Sequence, residues 1–287
     1  MIQVKKFRHR IVLFVFLEKL WYAQLKRKRC GFVNVIEELW GNIPLLHIVE
    51  DEFKDQQVPV VIFLHGFTSA KEHNLHYAYN IAKKGVRVLL PDAHLHGARE
   101  EDLDEVQLSL RFWEIILTSI EEVSFIREEL VKRGLYTTGK IGLAGTSMGG
   151  ITTLGCLTVY DWIDTAAVMM GAPGFVQLAK AQMSEFERRG FTLPVTEEEK
   201  KKLFNTLSTF DLTKHSAALN NRPVYFWHGK QDAVVPYEPT YNFYQAVKKD
   251  YAATPERIEF VSSATSGHAV SRAGMLQAAD WLACHLK

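Results

Sequence analysis

Cysteine is scarce in this 287-residue chain: Cys30, Cys156 and Cys284 are the only three. Odd in number and far apart, they exclude a fully paired disulfide framework and point to a reducing, cytoplasmic setting. No C-x-x-C or Cys/His cluster suggests structural zinc. A strong net charge is also missing. The chain carries 34 Lys/Arg against 33 Asp/Glu, which gives no reason to expect nucleic acid as a partner. There is no internal repeat and no low-complexity linker. What remains is ordinary for a soluble globular protein: 47% hydrophobic and 23% charged residues, in a chain long enough to bury a large core.

Charge is uneven along the chain. Residues 1–29 hold nine Lys/Arg and the single acid Glu18; the rest holds 25 Lys/Arg against 32 acids, a net of −7. Within the basic segment, Ile11 to Leu17 is a seven-residue apolar run, far short of the roughly 20 residues that span a bilayer. Glu18, Lys19 and Trp21 follow it where a secretory signal would carry small residues, so no such signal is expected. Residues 1–34 therefore read as a basic extension ahead of the folded domain. The alternative is a basic helix that lies on an anionic membrane surface through residues 1–29.

From residue 35 onward, strand-like and helix-like stretches alternate. Val35–Trp40 and Leu45–Val49 flank Gly41-Asn42 and read as a hairpin. Val58–Leu64, Val86–Leu90, Ile141–Ala144, Ala166–Met170, Val224–Trp227 and Ile258–Val261 are short apolar runs of buried-strand type. Helical stretches are expected over 70–84, 103–133, 150–160, 238–249 and 273–285. The pattern predicts an α/β fold: a mostly parallel sheet with helices on both faces and an antiparallel N-terminal edge hairpin. Residues 175–221 break the rhythm and are too long for a plain connection. They read as a small helical cap, with Thr196 as a helix N-cap. Phe175, Met183, Phe186 and Phe191 are its candidate pocket linings, although for any one of them packing the cap onto the body is the favoured reading.

Gly145-Thr146-Ser147-Met148-Gly149 joins an expected strand to an expected helix. A G-x-S-x-G there forms a turn so sharp that glycine is needed on both sides, and it projects the serine hydroxyl into a cleft. A serine needs a base within reach, and the base needs an acid to orient it. Asp232, in His228-Gly229-Lys230-Gln231-Asp232, follows the strand at 224–227, and His268 follows the strand at 258–261. Alone, Asp232 would read as a turn-capping aspartate and His268 as a surface histidine. In the order Ser, Asp, His, each just past a strand, they read as nucleophile, orienting acid and general base. The backbone N–H groups of Phe67, in His65-Gly66-Phe67-Thr68, and of Met148 are the candidate oxyanion donors. His65 is expected to hold its loop in shape.

These motifs, with Pro91-Asp92-Ala93-His94-Leu95-His96-Gly97-Ala98-Arg99 and Gly267-His268, resemble those of the serine esterases of the α/β-hydrolase superfamily. The resemblance runs from about residue 35 to the end, closest to small bacterial esterases allied to dienelactone hydrolase and the prolyl oligopeptidase catalytic domain. It implies a carboxylesterase that works through an acyl-enzyme on small-molecule esters, without metal or organic cofactor. Two departures stand out: dienelactone hydrolase itself uses a cysteine where this chain has Ser147, and there is no room for the propeller of prolyl oligopeptidases.

Several rival readings keep the same residues. Thioesterase, acyltransferase or small-peptide hydrolase activity would use the same three side chains. A non-catalytic binding protein could share the fold. His94-x-His96, with His65, His73 and His76, could suggest a metal site, but neither H-E-x-x-H nor an aspartate-histidine pair after the H-x-H accompanies it.

Overall fold

The structure, a computed structural model, describes residues 31–136, 139–190 and 195–287. The basic extension and its membrane-surface alternative fall almost wholly outside these residues, as does Phe191. Among the described residues, no helix is long and apolar enough to cross a membrane.

Residues 33–287 form one compact unit around an eight-stranded sheet of order β1-β2-β4-β3-β5-β6-β7-β8. The strands are β1 (Val33–Trp40), β2 (Ile43–Glu50), β3 (Val60–Leu64), β4 (Arg87–Pro91), β5 (Ile141–Thr146), β6 (Thr165–Met169), β7 (Val224–Gly229) and β8 (Ile258–Ser263). β1 and β2 form the expected hairpin across Gly41-Asn42. β2 joins β4 antiparallel, and every later pairing is parallel. This is the expected α/β-hydrolase architecture.

The continuous apolar runs are sorted onto two faces by the two-residue period of a strand. In β3, Val60, Ile62 and Leu64 enter one core, while Val61 and Phe63 enter the other. The first core is covered by α3 (Phe112–Lys132), α4 (Met148–Val159) and α7 (Tyr237–Lys248), and the second by α1 (Leu75–Ala82) and α8 (Arg272–Leu286). Both faces are dry, which is why the central strands carry no polar alternation.

The stretch 103–133 is two helices, not one: α2 (Glu105–Leu110) and α3, separated by Arg111 at φ −90°, ψ 2°. Asp104 and Gln107 close a reciprocal capping box on α2. The break has a packing consequence. Phe112 lies edge-on to Phe67, with centroids 5.5 Å apart, and Trp113 lies 5.3 Å from Phe175.

Between β6 and β7 the chain inserts α5 (Phe175–Arg188) and α6 (Glu197–Phe210). Thr196 caps α6 as expected, its hydroxyl accepting from the Glu199 N–H while the Glu199 carboxylate accepts from the Thr196 N–H. The insertion is tied to the body by the Trp113 indole N–H donating to Gln182 Oε1 at 2.9 Å. Asp211, buried, accepts from the Val176 N–H. Phe175 follows the packing reading and not the pocket lining. It is 0% exposed, and a side chain on Gly155 would strike its ring, so it packs the insertion onto α4. Met183 and Phe186 are half-buried.

Candidate active site

The carboxyl ends of β3, β5, β7 and β8 all meet at one rim of the sheet. β3 and β5 are neighbours whose chains leave in opposite directions, since β4 follows β3 on one side and β6 follows β5 on the other. A crevice opens at such a switch point.

Ser147 follows β5 directly. Its backbone sits at φ 53°, ψ −117°, a conformation that costs a non-glycine residue on the order of 1–3 kcal/mol. Its N–H donates to the Met169 carbonyl at 2.8 Å, which ties the turn to β6. The flanking glycines are required by contact. A Cβ on Gly145 would lie 2.3 Å from the Gly149 carbonyl carbon, and one on Gly149 would lie 2.1 Å from the Leu64 carbonyl oxygen. The start of α4 is thus pressed onto the ends of β3 and β5. At the other end of α4, buried Arg222 donates to the carbonyls of Tyr160 and Leu157. A cation there complements the helix dipole.

Asp232 and His268 come from loops bonded to each other. Lys230 N–H donates to Ser263 O at 2.8 Å and Gln231 N–H to Ser266 O at 3.0 Å. The loops cross at Gly229, where a Cβ would lie 2.3 Å from the Ser266 carbonyl oxygen. The Asp232 side chain is fully buried, and its Oδ1 accepts from the N–H groups of Val234 and Val235, each at 2.9 Å. Oδ2 lies 2.8 Å from His268 Nδ1, and His268 Nε2 lies 2.8 Å from Ser147 Oγ. The structure thus brings Ser147, Asp232 and His268 into one hydrogen-bonded chain. Burial alone would push the Asp232 carboxyl up. Hydrogen bonds from His228, His268, Val235 and Val234 outweigh that and hold it well below the usual carboxylate range. A carboxylate facing Nδ1 places the His268 proton there and leaves Nε2 to accept from the serine hydroxyl.

Met148 opens α4, so its N–H has no partner within that helix. The loop of Phe67 lies alongside: a Cβ on Gly66 would lie 3.5 Å from Ser147 Cβ. Two buried histidines set the shape of this loop. His65 Nδ1 lies 2.8 Å from Gly66 O, and its Nε2 accepts from the Ala93 N–H at 3.0 Å. His96 Nε2 accepts from the Thr68 N–H at 3.0 Å, and its Nδ1 lies 2.9 Å from His94 O. Both nitrogens of both rings are therefore bonded to backbone. Beneath them, Lys71 and Asp92, 3% and 0% exposed, form an ion pair at 2.7 Å. A Cβ on Gly97, at φ 57°, would overlap the Asp92 carboxylate. The 91–99 motif is thus a clamp on the loop that carries Phe67. Among the described residues, no group of three or more His, Cys, Asp or Glu is placed to hold a metal ion.

Burial pulls His65 down to about 4 from an ordinary 6.5. Below pH 6.5 the unfolded chain takes up a proton that the native ring refuses until about pH 4. The stability that His65 contributes is complete above 6.5 and is lost as pH falls through about 4. Between pH 7 and pH 4.5 this amounts to roughly 2 kcal/mol. Urea unfolding at these two pH values is expected to show the wild type losing about that much more stability than His65→Gln. Equal losses would show that another group controls acid lability.

Sequence reading gave no role to Lys71, Arg222 or His228. Each is a polar side chain with a signal visible only in hindsight. Lys71 follows the Gly66-Phe67-Thr68-Ser69 loop, Arg222 immediately precedes Pro223 and β7, and His228 stands four residues before Asp232.

Comparison with known proteins follows the same outline. A profile of the prolyl oligopeptidase family matches residues 118–287. The chain is 44% identical over 254 residues to "Putative esterase YitV" of Bacillus subtilis (strain 168), covering 88% of this chain and 100% of that protein. It is 31% identical over 212 residues to esterase YjfP of Escherichia coli (strain K12), covering 73% of this chain and 82% of that one. The crystal structure of TT1662 from Thermus thermophilus superposes with a TM-score of 0.68 at 18% identity, over 89% of this chain and 99% of that one, a likeness of fold.

Proposed function

This chain belongs to the prolyl oligopeptidase family of α/β-hydrolases, and from that membership and the geometry at Ser147 we propose that it is a serine carboxylesterase acting on small carboxylic esters. The observation that carries the reading is the relay of two 2.8 Å contacts, Asp232 to His268 and His268 to Ser147, ending on a serine held at positive φ. The esterase names of two relatives, at 44% and 31% identity, support the same reaction class.

The steps follow from the contacts. Ser147 Oγ attacks the ester carbonyl carbon while His268 Nε2 takes its proton. Negative charge moves to the carbonyl oxygen, where the N–H groups of Phe67 and Met148 receive it. The carbon–alkoxy bond breaks, and His268 returns the proton to the departing alcohol. Water then attacks the acyl-Ser147 ester, His268 takes its proton, and the acid leaves as Ser147 is reprotonated. Asp232 keeps His268 in the required tautomer and offsets its transient positive charge. The side chains cover the proton transfers, so no cofactor enters the scheme.

The same reading takes residues 35–287 as the hydrolase domain and 175–221 as its cap. Cys156 and Cys284 are free thiols, which supports a cytoplasmic setting.

A fluorophosphonate probe is expected to label Ser147 and no other residue. A panel of p-nitrophenyl esters from acetate to palmitate should be cleaved best at the short end. An unlabelled Ser147 would favour a binding protein, and faster cleavage of aminoacyl anilides than of any ester would favour a peptidase.

A further inference from the structure

His228 is the penultimate residue of β7 and 1% exposed. Its Nε2 lies 2.9 Å from the Val235 carbonyl oxygen and 3.3 Å from Asp232 Oδ2. Both neighbours are acceptors, so Nε2 carries the proton and donates. Its Nδ1 is buried and has no hydrogen-bond partner. An orphaned buried nitrogen costs roughly 1–3 kcal/mol, a cost that leucine or phenylalanine would not carry. The ring is otherwise well held. It stands edge-on to Tyr237 at 5.7 Å, and the Tyr237 hydroxyl lies 2.7 Å from Ser262 Oγ, on the residue that pairs with His228 across the sheet. Packing therefore explains a large side chain here but not an imidazole. What the imidazole adds is the Nε2–H.

We propose that His228 is a positioning residue for Asp232. Its Nε2–H holds the Val235 carbonyl and reaches Asp232 Oδ2, while the Val235 N–H holds Oδ1. The carboxylate is then fixed from both ends, with Oδ2 in line with His268 Nδ1. The polar contacts of His228 Nε2 go to Val235 O and Asp232, not to Ser147; it acts through Asp232. The inference rests on the reading of Ser147, His268 and Asp232 as the reacting set.

Two substitutions and one measurement on the wild type separate this from packing. His228→Leu, which keeps bulk and removes the donor, should lower kcat by about ten- to a hundredfold with KM within about twofold, the scale of a small misalignment. His228→Gln carries an amide N–H to nearly the same place and should recover most of that loss. In the wild type, imidazole nitrogen NMR at the pH of maximal activity should find His228 protonated at Nε2. A folded His228→Leu protein with wild-type kcat would overturn the proposal. So would protonation at Nδ1 with Nε2 bare, an observation on the wild type that decides even where His228→Leu does not fold. Fluorophosphonate labelling of the wild type separates the two levels: without label on Ser147 the reacting set itself fails, whereas label with an unaltered His228→Leu kcat removes only the role of His228.

Discussion

Ser147→Ala is expected to lower kcat by about 10⁴- to 10⁶-fold while leaving the fold intact. The size of the loss follows from chemistry. Without Oγ there is no acyl-enzyme, and what remains is attack by water in a site that still binds the ester and its oxyanion. The intact fold follows from contacts. Oγ makes one hydrogen bond, to His268 at 2.8 Å, whereas the turn is held by the Ser147 N–H on Met169 O and by the glycine contacts at 145 and 149. Alanine bears the same cost of a φ near 53° as serine does. Ser147→Gly relieves that cost and should be more stable than wild type by about 1 kcal/mol, although equally inactive. Initial rates on p-nitrophenyl acetate and thermal melts of the three proteins read both effects. More than a tenth of the wild-type rate in Ser147→Ala would remove Ser147 from the mechanism.

The strain at Ser147 shows what could be read in the sequence and what could not. The G-x-S-x-G spacing announced a tight turn because close approach of two backbones leaves only glycine. The apolar runs announced buried strands because a parallel sheet is dry on both faces. The chain order of Ser147, Asp232 and His268 was legible for the same reason: each follows a strand, and the strands end at one rim. The distances between them were not legible, since they depend on how the 229–235 and 264–268 loops cross at Gly229, and composition does not encode a crossing. Arg222 and Lys71 were equally silent. The contacts that give them their roles are distant in sequence, 62 and 65 residues to the carbonyls at the end of α4 for Arg222 and 21 residues to Asp92 for Lys71, and a lone basic residue near a loop has no periodic signature. Phe175 was legible as a residue that packs the cap onto the body, but the gap left by Gly155 that seats its ring was not. Arg111 carries no breaker signal. The division of 103–133 into two helices coincides with the seating of Phe112 on Phe67 and Trp113 on Phe175, a tertiary effect that local propensity does not contain.

Asp232→Asn is the more discriminating substitution, because it turns one acceptor oxygen into a donor and changes almost no volume. In the wild type, Oδ1 accepts two backbone N–H bonds at 2.9 Å from Val234 and Val235. An amide can satisfy those donors only by placing its oxygen there. Its NH₂ group must then occupy the position of Oδ2, 2.8 Å from His268 Nδ1 and 3.3 Å from His228 Nε2. A donor now faces Nδ1, so His268 is held with its proton on Nε2, pointing at the Ser147 hydroxyl it should deprotonate. The base is present, correctly placed and in the wrong tautomer. A second donor meets the N–H of His228, so the amide is also less comfortable than the carboxylate it replaces. Turnover should fall by about 10⁴-fold, with substrate affinity nearly unchanged. Labelling of Ser147 by the fluorophosphonate should slow in proportion, since it needs the same deprotonation. Imidazole nitrogen NMR should show the His268 proton moved from Nδ1 to Nε2. A variant that keeps its rate, or one that loses it while His268 stays protonated at Nδ1, would show that Asp232 does not act by setting the tautomer. Asp232→Ala offers no such test, because an alanine leaves Val234 and Val235 N–H groups without an acceptor and confounds the tautomer with the collapse of the loop.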